Sequence, residues 1–389
     1  MSSAPASIRT TEAARPAPGR ASAGRWRRAA RLRTRGIGLV ELMVGMTIGL
    51  IALLVMVQTF SASNAHKANT VSGADATTAG QVAMTLLERD LLNAGAGLIG
   101  TGCRTIKYLK PGTSGAQEMN GMPVTIVADP GAPSALASRS DRITIRYASS
   151  GEASIAKATL TESMPSPSST MFANIGMGFS EDDLIVLNDA EGHCAIQQLT
   201  QDPGSVGRGG GAWRFQINPS SPYNDPGDSA GLFPSDGYQS GTGTIRSLGP
   251  GGIAETVYRL QSRGSSTAPP DTDLATSRAD MASTTAAQTL VRDVVALRAQ
   301  YGWWNRTTNT VSFSSTIPTG AGAADLVAVR VGILVRASQR DASYTAPETF
   351  SFFEYDTPVQ ITLGSAERNY RYRSYETVVP LRNALWNRE

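Results

Sequence analysis

The chain has 389 residues, of which 17% are charged and 6% aromatic, and it contains two cysteines and 39 glycines. This composition excludes a disordered tail and a disulfide-dense mini-protein, and the length is sufficient for one or two domains. The formal net charge of +3 is misleading, because residues 1–36 contain nine Arg and a single acid, Glu12. Without the +8 of that segment, residues 37–389 carry a net charge of −5, so the body of the protein is not expected to bind nucleic acid.

One long apolar segment, IGLVELMVGMTIGLIALLVMVQTF, occupies residues 37–60. A helix of this length reaches about 36 Å and can cross a ~30 Å hydrocarbon core. The nine Arg before it, with only Lys67 close behind it, predict a cytoplasmic N-terminus and an exported remainder, which is periplasmic in a bacterium. No small-residue cleavage site of the secretory type follows the apolar core. The sequence therefore predicts a single span of the inner membrane.

A single acidic residue, Glu41, lies within this apolar segment. A carboxylate in a membrane span costs about 2.5–3.5 kcal/mol on insertion scales and usually has a partner. A charge near the helix end that snorkels to the membrane interface is one interpretation of Glu41. The other interpretation follows from the preceding residues, because Thr34-Arg35-Gly36 stands before Ile37, and Glu41 is the fifth residue counted from Ile37.

This arrangement resembles the class III leader of type IV prepilins. In that family a prepilin peptidase cuts after the Gly, the new N-terminal residue is methylated, and a Glu stands fifth in the mature chain. The resemblance implies a leader of residues 1–36, cleavage between Gly36 and Ile37, and N-methylation of Ile37. It also implies that Glu41 is an assembly contact, since its carboxylate can neutralise the terminal amine of a neighbouring subunit in low dielectric.

This chain departs from the usual leader pattern at two positions. The family usually has Phe and often Thr at the first two mature positions, where this chain has Ile37 and Gly38. A leader of 36 residues is also long, which leaves open a misassigned start codon or an extended Arg-rich leader.

Further stretches resemble the PilW family of minor pilins, which is involved in type IV pilus assembly. They are ELMVGMTIGLIALL in the span, LLERDLLNAGAGLIGTGC after it, and ADLVAVRVGILVRAS with YETVVPLRN near the C-terminus. The resemblance covers both ends of the chain and leaves roughly residues 105–285 outside it. It implies a pilin-like α+β fold, in which a long N-terminal helix has one half in the membrane and the other half packed on a β-rich head of antiparallel sheet.

The amphipathic half of that helix is expected over residues 61–97. Residues 61–94 lack Pro, are rich in Ala and carry Leu near helical spacing, while Asn93-Ala94-Gly95-Ala96-Gly97 offers glycines for a helix C-cap. The head, residues 98–389, contains β-branched or alternating runs between Gly, Pro, Asn and Ser clusters. The predicted strands are Pro123–Ala128, Asp141–Tyr147, Leu184–Asn188, Cys194–Leu199, Ala212–Ile217, Glu255–Leu260, Leu290–Tyr301, Asp325–Val335 and Tyr370–Leu381.

One part of the head has the composition of a loop. Thirteen of the 39 Gly and several Pro lie between Gly204 and Gly252. This composition predicts loop rather than core, as a long insertion at about residues 201–252 or as a linker between two subdomains.

Cys103 and Cys194 are the two cysteines of the chain, and in an exported protein two cysteines more often pair than stay free. A bridge between them closes a loop of about 90 residues and stabilises the head by roughly 4–5 kcal/mol in the chain-entropy model. The competing interpretation, a metal site that includes His193 and Cys194, has too few ligands in the sequence. We therefore expect a disulfide and no metal.

No catalytic motif stands out in the sequence, and no cofactor is expected. His193 has no nucleophile motif beside it, and the glycines of GRGGG at 207–211 lack the order of a phosphate-binding loop. Glu181-Asp182-Asp183 is expected to be a solvated turn before a strand rather than a calcium site. The pair Trp303-Trp304 is compatible with an exposed binding pair or with buried aromatics at a sheet edge.

These observations favour a non-enzymatic structural protein, a minor pilin in the pilus tip or in the complex that primes assembly. The expected partners are other minor pilins, the major pilin and prepilin peptidase, with the inner membrane before assembly and the cell surface afterwards. Two alternatives remain open. One is a minor pseudopilin of a type II secretion system, and the other is a signal-anchored periplasmic binding protein or enzyme whose span is not cut.

Overall fold

The computed structural model describes residues 38–113, 115–132, 136–149, 156–165, 170–205, 212–225, 231–264, 271–281 and 283–386. The predicted cleavage site, Gly36 and Ile37, lies outside these residues, as does the Gly-rich stretch at 207–211. The chain divides into two compact units, residues 1–62 and 63–389, and the division falls within one long helix.

Helix α1 spans Leu39–Leu92, 54 residues without a proline. It ends five residues before the predicted limit at residue 97, so this boundary of the amphipathic half is wrong. The next residues form turns, in which Gly95 (φ 76°) and Gly97 (φ 72°) have left-handed backbone that disfavours other residues. The N–H of Gly95 donates to the carbonyl of Arg146 at 2.7 Å, so a contact with a distant residue fixes the chain just after the helix.

The part of the chain that the structure describes contains twenty strands and a short C-terminal helix, α2 (Arg382–Trp386). The strands are β1 Thr105–Tyr108, β2 Gln117–Asn120, β3 Val124–Ala128, β4 Asp141–Ala148, β5 Lys157–Thr159, β6 Thr170–Ala173, β7 Leu184–Asn188, β8 His193–Gln198, β9 Gln201–Ser205, β10 Trp213–Gln216, β11 Thr244–Gly249, β12 Ile253–Ser262, β13 Thr272–Ala279, β14 Gln288–Arg292, β15 Val294–Asn305, β16 Thr310–Ser314, β17 Leu326–Arg340, β18 Thr349–Phe352, β19 Val359–Thr362 and β20 Tyr370–Pro380.

Two sheets form the surface on which the second half of α1 packs. Their strand orders are β14-β13-β12-β4-β3 and β16-β15-β17-β20. An isolated bridge between Ser140 and Leu297 joins them, and the carboxylate of Asp141 accepts the N–H of Ala299 at 2.9 Å. Buried side chains of the helix and of both sheets form one apolar core.

A second part of the head has its own core. It contains a six-stranded sheet, β2-β1-β8-β7-β11-β5, and a three-stranded sheet, β6-β10-β9. A hairpin, β18–β19, forms the remaining sheet among the described strands. Strand pairing is antiparallel as predicted, except that β1 and β8 run parallel.

The prediction of loop rather than core for residues 201–252 is wrong for the described residues of that stretch. Strands β9, β10 and β11 lie there, and β11 is inside a sheet, between β7 and β5. Buried apolar side chains from the same stretch fill the second core: Phe215, Leu232, Phe233, Tyr238 and Ile245. Composition alone misleads here, because glycines at the turns coexist with short buried strands.

The predicted strand Leu290–Tyr301 is two strands. Asp293, with φ of 60°, separates β14 from β15, and its left-handed backbone breaks the extended run. The overall prediction is confirmed: one long N-terminal helix and a β-rich head of mainly antiparallel sheet.

Candidate assembly site

The first half of α1 exposes an apolar surface. Every residue from Leu39 to Phe60 is exposed. Among the described residues, α1 is the one helix that is long enough and apolar enough to cross a membrane. The hydroxyl groups of Thr47 and Thr59 donate to backbone carbonyls of the preceding turn, at 2.9 and 2.7 Å, so their polar atoms are satisfied within the helix. A surface of this kind is stable in lipid or against other apolar helices rather than in water.

Glu41 lies in the first turn of α1, where the helix dipole favours a negative charge. The N–H of the next residue, Leu42, donates to the carbonyl of Gly38 at 3.1 Å, so the helical hydrogen bonds begin at Gly38. The Glu41 side chain is exposed and makes no hydrogen bond or ion pair to another described residue. Its carboxylate is therefore available to a cationic partner outside the described chain.

The second half of α1 has a buried stripe of small and apolar residues. Ala76, Ala83, Leu87 and Leu91 follow one another at spacings of seven, four and four, which places them on one face of a helix. These side chains pack against the two sheets described above. The predicted amphipathic packing is therefore present up to Leu92.

Gly80 lies on the same packed face, where the helix approaches the sheet closely. A Cβ atom at Gly80 would overlap the ring of Tyr375 on β20. The hydroxyl group of Tyr375 donates to the carbonyl of Thr77 at 3.2 Å, which holds the ring in this position. The absent side chain at position 80 is thus what allows β20 to contact the helix backbone.

Asp90 anchors the end of the helix through a buried polar cluster. Its carboxylate accepts the hydroxyl of Tyr258 at 2.7 Å and pairs with Arg89 at 3.1 Å and Arg278 at 3.6 Å. Burial raises the pKa of Tyr258 well above its ordinary value, and the hydrogen bond to Asp90 raises it further. The phenol therefore stays a neutral donor to Asp90 at physiological pH.

The C-terminal Leu-Arg-Asn closes the same end of the helix. Leu381 is fully buried and its N–H donates to the carbonyl of Val327 at 2.8 Å. The amide of Asn383 donates to the carbonyl of Ala94 at 3.0 Å and approaches that of Asn93 at 3.4 Å. Free carbonyls after a helix need such donors. The Leu-Arg-Asn motif was noted as part of the resemblance, but its contact with the residues after α1 was not predicted.

Cys103 and Cys194 form a disulfide, as predicted, with their Cα atoms 5.8 Å apart. Cys103 follows the turns after α1, and Cys194 is the second residue of β8. The bridge therefore joins the segment behind the helix to a central strand of the six-stranded sheet. The metal interpretation loses Cys194 as a ligand, because its sulfur is already bonded.

Two other side chains near His193 have the chemistry of metal ligands, Asp189 and Glu191, and the sequence analysis missed both of them. Ligand atoms of Asp189, Glu191 and His193 lie within 4.8 Å of one another. The sequence signal for this cluster is that two acidic residues and a His occupy alternate positions across a turn. Both oxygens of Asp189 already accept hydrogen bonds from His193, one from the backbone N–H at 2.8 Å and one from Nδ1 at 2.7 Å. Internal pairing of the turn accounts for this cluster.

The other candidate residues have structural roles. Asp183 is buried and accepts the hydroxyl of Ser247 at 2.9 Å, while Glu181 and Asp182 are exposed in the turn, so the three acids do not face one ion. Trp303 is 4% exposed and packs beside Tyr301, which supports the buried interpretation of that aromatic.

Comparison with known proteins gives one family match. Residues 258–383 match the model of a family described as Type IV Pilus-assembly protein W. No curated protein sequence matches the chain. Among solved structures, a type IV-like pilin from Thermus thermophilus matches with a TM-score of 0.21 and 11% identity, covering 54% of this chain and 89% of that chain. The matched residues include the two stretches near the C-terminus and confirm the resemblance there, and the match supports a protein related to the type IV pilus.

Proposed function

We propose that the chain is a non-catalytic minor pilin, a component of the tip or the assembly-priming complex of a type IV pilus. The observation that carries this proposal is the first half of α1, an apolar helix surface that is exposed along its whole length and carries one carboxylate, Glu41. Residues 63–389 form a compact unit with a core of its own, which does not include this surface. Contacts between apolar helices of neighbouring subunits explain it.

Processing gives the helix its second charged group. Cleavage after Gly36 leaves a cationic amine on Ile37, four residues before Glu41, and N-methylation keeps that charge. An amine and a carboxylate inside lipid are each costly, and pairing between adjacent subunits compensates both. Glu41 and the neighbouring amine thereby set the register in which one helix packs on the next. Prepilin peptidase, the major pilin and the other minor pilins are the partners that this route requires.

The N-terminal mass of the full-length protein, purified from membranes, tests the proposal. We expect a mature chain that begins at Ile37 and carries one added methyl group. Gly36→Val should leave the leader attached, because a bulky residue replaces the Gly at the cut, while membrane insertion is unchanged. Gly38→Val is the matched control, since no atom lies within 4 Å of a Cβ at that position and the cleavage site is intact.

An intact N-terminus in the unsubstituted protein, or a cut after Phe60, would contradict the proposal. The first result would favour an uncut signal anchor, and the second an ordinary secretory signal.

A further inference from the structure

The hairpin β18–β19 presents an aromatic side chain at its apex. Six residues, 353–358, join its two strands. Tyr355 lies in the middle of this loop with a relative exposure of 105%, so the surrounding protein covers none of its ring. Glu354 and Asp356 on either side of it are also exposed. Large aromatic side chains are usually at least partly covered, so this position needs an explanation.

The loop is fixed at its first residue. Phe353 has φ of 62°, a left-handed backbone that is a genuine outlier for a bulky side chain and costs on the order of 1–3 kcal/mol. Its N–H donates to the carboxylate of Glu376 on β20 at 2.9 Å, and its ring is buried. The surrounding sheet therefore holds a strained residue that starts the loop.

The far end of the loop is fixed by Arg330 on β17. The Arg330 guanidinium lies 4.4 Å from the centroid of the Phe313 ring and 4.6 Å from that of Phe353. It donates to Gln300 at 2.7 Å and to the side chain of Thr357. Phe353 and Thr357 thus share one buried cation, so both ends of the loop are anchored while the apex between them projects.

We propose that this apex, Glu354-Tyr355-Asp356, is a docking element that inserts Tyr355 into an apolar pocket edged by Lys or Arg on a partner protein. A Tyr held on a rigid loop loses little conformational freedom when it is buried, which is the property of an interface hot spot. The two flanking carboxylates select a cationic rim and disfavour an acidic one. This inference uses the head alone and does not depend on the proposed cleavage or on Glu41.

Charge and shape argue against the other classes of partner. Two carboxylates beside the ring oppose binding to anionic lipid headgroups and to nucleic acid phosphates. A convex apex cannot enclose a small molecule or a sugar, which bind in concave sites. A concave site on another protein is the complement of this surface.

A photo-crosslinking amino acid, p-benzoylphenylalanine, tests the proposal when it replaces Tyr355 in the full-length chain, in the cells that make it. The matched control places the same probe at Met177, which is 71% exposed on a different loop. We expect a discrete protein adduct from position 355 and none of that mass from position 177. Mass spectrometry of the adduct should find the probe attached beside Lys or Arg in an apolar surface.

Two further measurements test the chemistry of the contact. Glu354→Lys in the probe-carrying chain should lower the adduct yield at least tenfold, whereas Glu181→Lys, at an exposed turn elsewhere, should leave it unchanged. Co-expressed unsubstituted chain should compete for the adduct, and a Tyr355→Ala chain should compete about 30-fold less well, the loss typical of a hot-spot side chain. The melting temperature of the Tyr355→Ala chain should equal that of the unsubstituted protein.

Equal adducts from positions 355 and 177 would overturn the proposal, and so would adducts with lipid, glycan or nucleic acid. If Glu354→Lys left the adduct yield unchanged, the proposed Lys or Arg rim of the partner's pocket would be contradicted. A Tyr355→Ala chain that competes as well as the unsubstituted chain would show that the ring contributes nothing to the contact.

Discussion

Glu41 is the charged residue of an exposed helix surface over residues 39–60, and we expect its carboxylate to matter in assembly. Glu41→Ala should insert into the membrane at least as well as the unsubstituted chain, because it removes a charge that costs about 2.5–3.5 kcal/mol in a span. The same variant should support far fewer pili, because the amine of a neighbouring subunit loses its partner in lipid. Membrane fractionation measures the first effect, and counting pili by electron microscopy measures the second.

Thr47→Ala provides the control for Glu41, since it changes a polar residue of the same helix whose hydroxyl is bonded within its own turn. It should alter neither insertion nor pilus number. A normal number of pili with Glu41→Ala would show that the carboxylate has no role in assembly, and would contradict the proposed contact between helices.

Asp141 makes the stability of the head depend on pH. Burial raises the pKa of this carboxyl above its ordinary value of 3.8, although Arg298 and the N–H of Ala299 oppose the shift. A raised pKa in the folded state means that the stability contributed by Asp141 is complete below pH 3.8 and is lost as the pH rises through the folded-state pKa. Asp141→Asn keeps an acceptor for Ala299 without a titrating group.

The expected result is that the free energy of unfolding of the unsubstituted chain declines relative to that of Asp141→Asn as the pH rises above 3.8. Urea unfolding of both chains across pH 3.5 to about 7 measures this difference. Parallel stability curves would show that Asp141 titrates alike in the folded and unfolded chains.

At the scale of the element, two helix glycines separate packing from helix propensity. Gly80→Ala should destabilise the protein by about 1–3 kcal/mol, because the new methyl group overlaps a Tyr375 ring that its own hydrogen bond holds in place. Gly73→Ala should stabilise it by about 0.5–1 kcal/mol, since no atom lies within 4 Å of a Cβ there and Ala is the better helix former.

Thermal unfolding of the two full-length variants in the same detergent compares them directly. A destabilised Gly73→Ala would mean that something else occupies the open face of the helix. An unchanged Gly80→Ala would mean that β20 moves away from the helix without cost.

At the scale of the whole molecule, the disulfide links the segment behind the helix to the six-stranded sheet. It closes a loop with a sequence separation of 91, so removing both cysteines should cost about 4–5 kcal/mol in the chain-entropy model. Denaturant unfolding of the double variant Cys103→Ser with Cys194→Ser, compared with oxidised unsubstituted protein, measures the loss, and reduced unsubstituted protein should unfold like the double variant. Peptide mapping without reductant should recover the linked pair, and two free thiols would contradict the bridge.

The size of the head bears on how many copies a pilus contains. A head of about 290 residues, beyond the helix, is poorly suited to repetition at every step of a close-packed filament. We expect deletion of the gene to reduce pilus number strongly and to leave the remaining fibres normal in appearance, because nucleation fails while elongation does not. Quantitative mass spectrometry of purified pili provides the direct measurement, and an amount comparable with the main subunit would contradict an initiating role.

Local chemistry let the sequence determine a large part of this protein. The apolar run specifies the helix, the two cysteines specify the bridge, and β-branched or alternating runs place strands such as β4, β7 and β20 close to their actual limits. Each of these features depends on residues that are neighbours in sequence, or on there being only one way to pair two cysteines. Periodicity and composition can report such features without a fold.

Only the tertiary structure decided the features that join distant residues. The segment after α1 is pinned by the carbonyl of Arg146, Asn383 caps carbonyls almost 290 positions away, and β11 is a core strand because β5 and β7 flank it. The apex around Tyr355 is rigid because Arg330, on another strand, holds both ends of its loop. These contacts could not be predicted from the sequence, because each joins residues that are far apart in the chain. The local sequence around one residue of such a pair contains no information about the other residue.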